Sequence, residues 1–312
     1  MSDSLAVIID SPKHVALRRI ALDAPAANDV LVAVDYSGIS AGTEKLIWSG
    51  AMPDFPGMGY PLVPGYEAVG RVIDAGAEAK SRIGEHVFVP GARCFGAVRG
   101  LFGANASHLV AGADRVVPIA PDLGDRGALI ALAATAQHAL AIAGGPPDLI
   151  IGHGVLGRLI ARLAVIDGGA PTVWETSPNR MDGAQGYKIC HAGSDPRRDY
   201  RAVIDASGDA AILDALIARL APQGQIVLAG FYAAPIQFAF APAFMREARI
   251  AIAAQWQKAD LARVTALIAE GRLDLGGLIT HRIPARDAAG AYHTAFGTDD
   301  CLKLLIDWRD AS

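Results

Sequence analysis

Charge is scarce in this chain of 312 residues: Asp, Glu, Lys and Arg make up 19%, against 52% hydrophobic residues. That balance excludes a disordered polymer and calls for a buried core. The 32 acidic residues slightly outnumber the 28 basic ones, so there is no general attraction to phosphate backbones and no nucleic-acid partner is expected. Cysteine is rarer still. Cys94, Cys190 and Cys301 are odd in number and far apart, which argues against a disulfide framework and fits reduced thiols in the cytoplasm. Neither CxxC nor HExxH occurs, and the histidines are scattered. Long apolar runs are missing too. The opening MSDSLAVIID holds only a short apolar stretch between acids, unlike a signal peptide. The tract from Ala128 to Ala143 is mostly alanine and carries Gln137 and His138. A membrane span takes about 20 strongly apolar residues, so this tract reads as a buried helix and no span is expected.

What the chain does have is a change of texture. Over residues 1–121, short β-branched runs such as VLVAVDYSG, EAVGRVIDAG and EHVFVPG are punctuated by Gly, Pro and Asp, the pattern of a small barrel or sandwich. Over 122–256, strands alternate with helices. Leu149–Ile151 reads as a buried strand, and Leu156, Leu159, Ile160 and Leu163 mark one face of the helix behind it. Further strands are expected in PTVWE, YKIC, RAVIDAS and GQIVLAGF, with a helix carrying Leu213, Leu216, Ile217 and Leu220 on one stripe. This alternation predicts an α/β domain with a doubly wound parallel sheet. Residues 257–312 add an amphipathic helix with Leu261, Val264 and Ile268, and a tail expected to return to the first domain.

Between strand and helix lies Gly152-His153-Gly154-Val155-Leu156-Gly157, a G-x-G-x-x-G in the context its physics requires. Gly152 permits the tight turn, Gly154 lets a pyrophosphate approach the backbone, and Gly157 lets helix and strand pack closely. The helix N-terminus supplies unpaired N–H groups to the phosphates. Glu175, eighteen residues beyond Gly157, suits a ribose diol and repels a 2′-phosphate, so NAD is favoured over NADP, although Arg180 lies nearby. His153 either approaches a phosphate oxygen or points to solvent.

The segments SGISAGTEK and PLVPGYEAVGRV, ahead of a late Rossmann domain, resemble the medium-chain dehydrogenase/reductase superfamily. The resemblance implies a GroES-like β-barrel domain before the Rossmann domain. Longer stretches, above all SGAMPDFPGMGYPLVPGYE, look similar to the branch of that superfamily serving bacteriochlorophyll synthesis. That likeness implies NAD-dependent oxidation of the 3-(1-hydroxyethyl) group of a tetrapyrrole, a bacteriochlorophyllide, to 3-acetyl. Zinc-dependent relatives place Cys and His where this chain has Ser40 and Tyr66, while Glu67 is retained. Ser and Tyr are poor zinc ligands, so no metal is expected.

Without a metal, another group must stabilise the alkoxide or accept its proton. The resemblance points to Thr43, Tyr66 and Glu67 as catalytic candidates and to Thr135 beside the nicotinamide. Each has a plainer alternative. Thr43 and Glu44 suit a helix cap, Tyr66 a core position, Glu67 a buried ion pair, Thr135 a helix hydrogen bond and His138 the core. Trp48, Phe55, Met58 and Tyr60, in a Pro/Gly-rich stretch, suit a wall for a flat macrocycle, or equally a packed loop or a homodimer contact. Two rival readings remain: a zinc-free NAD(P)H quinone or enoyl reductase, and a non-enzymatic dinucleotide- and pigment-binding protein.

Overall fold

A computed structural model describes residues 3–311. Two compact units emerge: residues up to Ala131 together with those from Leu278 onward, and Leu132–Gly277.

The first unit is β-rich. A four-stranded sheet runs in the order His14–Ala21, Asp3–Ser11, Leu62–Pro64, Arg99–Leu101. A seven-stranded sheet is built around the long strand Asp29–Ile39, which pairs antiparallel with Ala68–Ala75, His108–Gly112 and the C-terminal strand Leu304–Asp307. Val30, Leu31, Val32 and Val34 of the long strand are all buried in one core. Pairing of Leu304 with Ile39 and of Leu305 with Gly38 carries Lys303 to the strand end that precedes Ser40.

In the second unit all six strands are parallel, in the order Lys188–Cys190, Thr172–Trp174, Leu149–Ile151, Tyr200–Asp205, Leu220–Leu228, Arg249–Ile252. This is a doubly wound sheet whose crossing point lies at Leu149–Ile151 and Tyr200–Asp205, where such folds bind dinucleotides. The helix Val155–Ile166 buries Leu159, Ile160 and Leu163.

Two local expectations change. The helix carrying Leu213, Leu216 and Ile217 ends at Ile217, and Leu220 opens the next strand. Its β-side burial, not a fourth helical contact, accounts for its place in the apolar pattern. The second unit also continues past residue 256 to Gly277, so the helix Lys258–Ala269 belongs to it. One segment, Pro121–Ala143, is long and apolar enough to cross a membrane, and 67% of its apolar window is buried within the fold. Among the described residues, it is the one such helix.

Candidate active site

In the second unit the glycine loop is shaped by contacts that only glycine tolerates. A Cβ on Gly157 would lie 1.8 Å from the Gly152 carbonyl oxygen, so helix and strand meet backbone to backbone. Gly152 itself has φ +90°, the left-handed region. Gly154, the residue capping the helix Val155–Ile166, faces open space: nothing lies within 4 Å of where its side chain would begin. This is a cradle with room for a phosphate beside the free N–H groups of the helix start.

Glu175 follows the strand Thr172–Trp174 and reaches back to this loop. Its carboxylate accepts from the backbone N–H of His153 (2.7 Å), Thr176 (2.7 Å) and Ser177 (2.8 Å). Burial pushes its pKa up, but the N–H groups of Ser177, His153 and Thr176 outweigh that, with help from Arg180, and hold it below the usual carboxylate range. The charge is therefore present at neutral pH.

His153 takes neither of its expected orientations. Its ring is fully buried, with Nδ1 2.6 Å from the Arg180 carbonyl oxygen and Nε2 2.8 Å from the Tyr187 hydroxyl. Nδ1–H donates to the carbonyl and Nε2 accepts from Tyr187. Burial lowers its pKa to about 4, so it is neutral. The buried Arg158, donating to the His153 carbonyl over 3.1 Å, helps draw the loop inward. Thr135 lies half-buried on the helix Ile130–Ala143. His138, on the same helix, is in the core with Nδ1 2.9 Å from Asp260 Oδ2.

In the first unit the helix Thr43–Ser49 starts without a side-chain cap, so neither Thr43 nor Glu44 caps it in the usual way. Instead the buried Glu44 Oε1 accepts the Ser40 N–H at 3.0 Å. Tyr66 Oη donates to Ser40 Oγ at 2.6 Å, and Thr43 hydrogen-bonds the same phenol. The three hydroxyls thus form one cluster. Burial, reinforced by the negative charge of Glu67, raises the Tyr66 pKa well above its ordinary value. Tyr66 therefore keeps its proton at neutral pH.

Glu67 is fully buried and committed to Lys303, whose Nζ donates to Oε2 at 2.7 Å and to the Ile39 carbonyl at 3.2 Å. Burial raises the Glu67 pKa and the ammonium opposes it. Sequence reading missed Lys303, along with Asn105 and Tyr292, which both donate to Glu44 Oε2 at 3.0 and 2.9 Å. Burial pushes Glu44 up to about 8, against the pull of the Ser40 N–H.

These residues do not fit a zinc ion. Zinc takes thiolate, imidazole or carboxylate ligands. Here the two positions of interest offer hydroxyls bonded to each other, and the adjacent carboxylate is already neutralised by an ammonium. Among the described residues no group of three or more His, Cys, Asp or Glu is gathered as a metal site.

The aromatic stretch divides. Tyr66 packs edge-on against Phe102 (5.6 Å between ring centres), and Phe102 against Phe55 (6.4 Å), so Phe55 continues an apolar surface outward from the hydroxyl cluster. Met58 and Tyr60 are half-buried against the same core, with the Tyr60 hydroxyl donating to the Ile47 carbonyl. Trp48 turns instead to the C-terminal helix Ala288–Gly297, meeting His293 and Phe296.

The alcohol dehydrogenase GroES-like domain matches residues 26–122. The chain is 54% identical over 312 residues, 99% of each protein, to the 2-desacetyl-2-hydroxyethyl bacteriochlorophyllide A dehydrogenase of Rhodobacter capsulatus. It belongs to the bacteriochlorophyllide dehydrogenase family. Solved dehydrogenase structures share the fold of this family member at low identity. A Sinorhizobium meliloti 1021 protein bound to NADP is 19% identical with a TM-score of 0.81, covering 98% of this chain and 100% of its own. An Escherichia coli CFT073 alcohol dehydrogenase complexed with NADH is 22% identical with a TM-score of 0.82, again over 98% and 100%.

Proposed function

We propose that this bacteriochlorophyllide dehydrogenase homologue oxidises the 3-(1-hydroxyethyl) group of a bacteriochlorophyllide to 3-acetyl, with NAD and without zinc, in the cytoplasm. The observation that carries the metal-free reading is the Tyr66–Ser40 hydrogen bond, which joins two hydroxyls at the positions where zinc-dependent relatives carry ligands. NAD, when bound, accepts the hydride. The backbone of Gly152–Gly157 and the ionised Glu175 would hold the dinucleotide, and a carboxylate in that place disfavours a 2′-phosphate.

The chain's own task is the proton. Tyr66 Oη already donates to Ser40 Oγ and takes a hydrogen bond from Thr43, so one lone pair remains to accept the carbinol O–H. As the hydride departs, Tyr66 Oη takes the alcohol proton and passes its own to Ser40 Oγ, which releases its hydroxyl proton to solvent water, so both residues end as neutral hydroxyls. A phenol that resists ionisation serves better as a relay than as a standing base. Thr43 fixes the phenol, and Glu67 acts through its charge beside Tyr66 rather than by touching the alcohol. Phe55, Met58 and Tyr60 offer the macrocycle an apolar wall.

Incubating the purified protein with NAD and the hydroxyethyl bacteriochlorophyllide tests this: red-shifted acetyl product and NADH are expected in equal amounts. No product would leave only a binding role. Replacing Glu175 by Ser is expected to raise the NAD Kd by about tenfold or more, because the ribose acceptor and the partner of three N–H groups are both removed. Calorimetric titration checks it, and unchanged affinity would refute the cofactor assignment.

A homodimer is part of the proposal. Phe240, Phe244, Met245 and Ile252 are 65–79% exposed beside Arg249–Ile252, an edge strand of the parallel sheet. An unpaired strand edge flanked by apolar side chains suits a second copy of the same edge. Wild-type protein should sediment as a dimer and a Phe244→Glu, Met245→Glu variant as a monomer; a monomeric wild type would refute this.

A further inference from the structure

Behind the hydroxyl pair lies a closed triangle of polar side chains that no step of the reaction uses. Asn105 Nδ2 donates to Glu44 Oε2 (3.0 Å) and to Tyr292 Oη (2.9 Å), and Tyr292 Oη donates to Glu44 Oε2 (2.9 Å). All three residues are at most 1% exposed. These hydrogen bonds offset the cost of burying the three polar side chains, with Asn105 Oδ1 left without a partner, and hold Glu44, Asn105 and Tyr292 to one another.

The triangle touches both partners of the relay. On one side Glu44 Oε1 accepts the Ser40 N–H at 3.0 Å, which sets the backbone that carries Ser40 Oγ. On the other, the Asn105 amide lies against Gly65, the residue before Tyr66. A Cβ on Gly65 would come within 2.6 Å of that amide, and Gly65 has φ +94°, so the contact is both tight and specific to glycine. The Asn105 N–H also bonds the Pro64 carbonyl at 3.0 Å. Tyr292 anchors the triangle from the C-terminal helix, 248 residues from Glu44.

Resting on the proposed relay, we propose that Glu44 is a positioning residue: with Asn105 and Tyr292 it braces Ser40 and Tyr66 at the spacing that proton transfer requires. A shift of about 1 Å between reacting groups costs on the order of a hundredfold in rate, so a brace of this kind is expressed in kcat. Glu44 and the dinucleotide loop belong to different units.

Glu44→Ala is expected to lower kcat about 10- to 100-fold while the NAD Kd stays within about twofold. Glu44→Gln is expected to recover most of that loss, to within about fivefold of wild type. Its amide oxygen can accept the Ser40 N–H, and Asn105 Oδ1, which has no hydrogen-bond partner, can turn to accept the new N–H. Tyr292→Phe, a milder change, is expected to cost about three- to tenfold. Wild-type kcat in Glu44→Ala, or a Glu44→Gln variant as impaired as Glu44→Ala, would overturn the brace. A crystal structure of Glu44→Gln and Tyr292→Phe separates this from failure of the proposed reaction. The Tyr66–Ser40 contact should hold near 2.6 Å in the first and lengthen in the second; an unchanged contact in Tyr292→Phe would overturn the brace whatever the turnover.

Discussion

Replacing Lys303 by Met is expected to destabilise the first unit by about 3–5 kcal/mol in urea denaturation. The residue is 2% exposed and, among the described residues, its ammonium is the one cation within bonding distance of the fully buried Glu67 carboxylate, at 2.7 Å. Without it the charge is stranded in a low-dielectric interior, and Glu67 Oε1 already lacks a hydrogen-bond partner. Glu67→Gln combined with Lys303→Met should recover much of the loss, since no isolated charge remains. A single variant within about 1 kcal/mol of wild type, or a double variant worse than the single one, would show that the pair does not behave as a coupled buried unit.

Tyr66→Phe is expected to lower kcat by about 10²–10³-fold while leaving the NAD Kd unchanged. The substitution removes one oxygen and keeps the ring, so the packing against Phe102 survives and the fold has little reason to respond. What disappears is the donor to Ser40 Oγ and, in the proposed relay, the acceptor of the carbinol proton. Steady-state kinetics with the pigment and direct titration of NAD separate the two quantities. More than half of wild-type turnover in the variant would remove Tyr66 from the relay.

How legible these features are in the sequence follows from their range. The glycine loop and Glu175 declare themselves because the chemistry is local: strand, turn and helix are contiguous, and the acid lies one strand further on. The change from short β-runs to strand–helix alternation likewise reports the two architectures. His153 could not be oriented from its neighbours, since Tyr187 and the Arg180 carbonyl that hold it come from a loop beyond the next strand. Leu220 fits a helical stripe in sequence, yet the helix stops at Ile217 and parallel pairing claims the leucine. The Glu67–Lys303 pair spans 236 residues and the Glu44–Tyr292 contact 248. No periodicity links such positions. The C-terminal strand joins them only by pairing Leu304 with Ile39, and a lone lysine in an apolar tail was the sole written hint.

In the proposed reaction hydroxyls, not a metal, handle the alcohol proton. Metal analysis of the purified enzyme joined to turnover before and after exhaustive chelation tests it most directly. The account predicts substoichiometric zinc and unchanged conversion of hydroxyethyl pigment to acetyl pigment. One zinc per chain, with activity lost on chelation and restored by zinc alone, would contradict it.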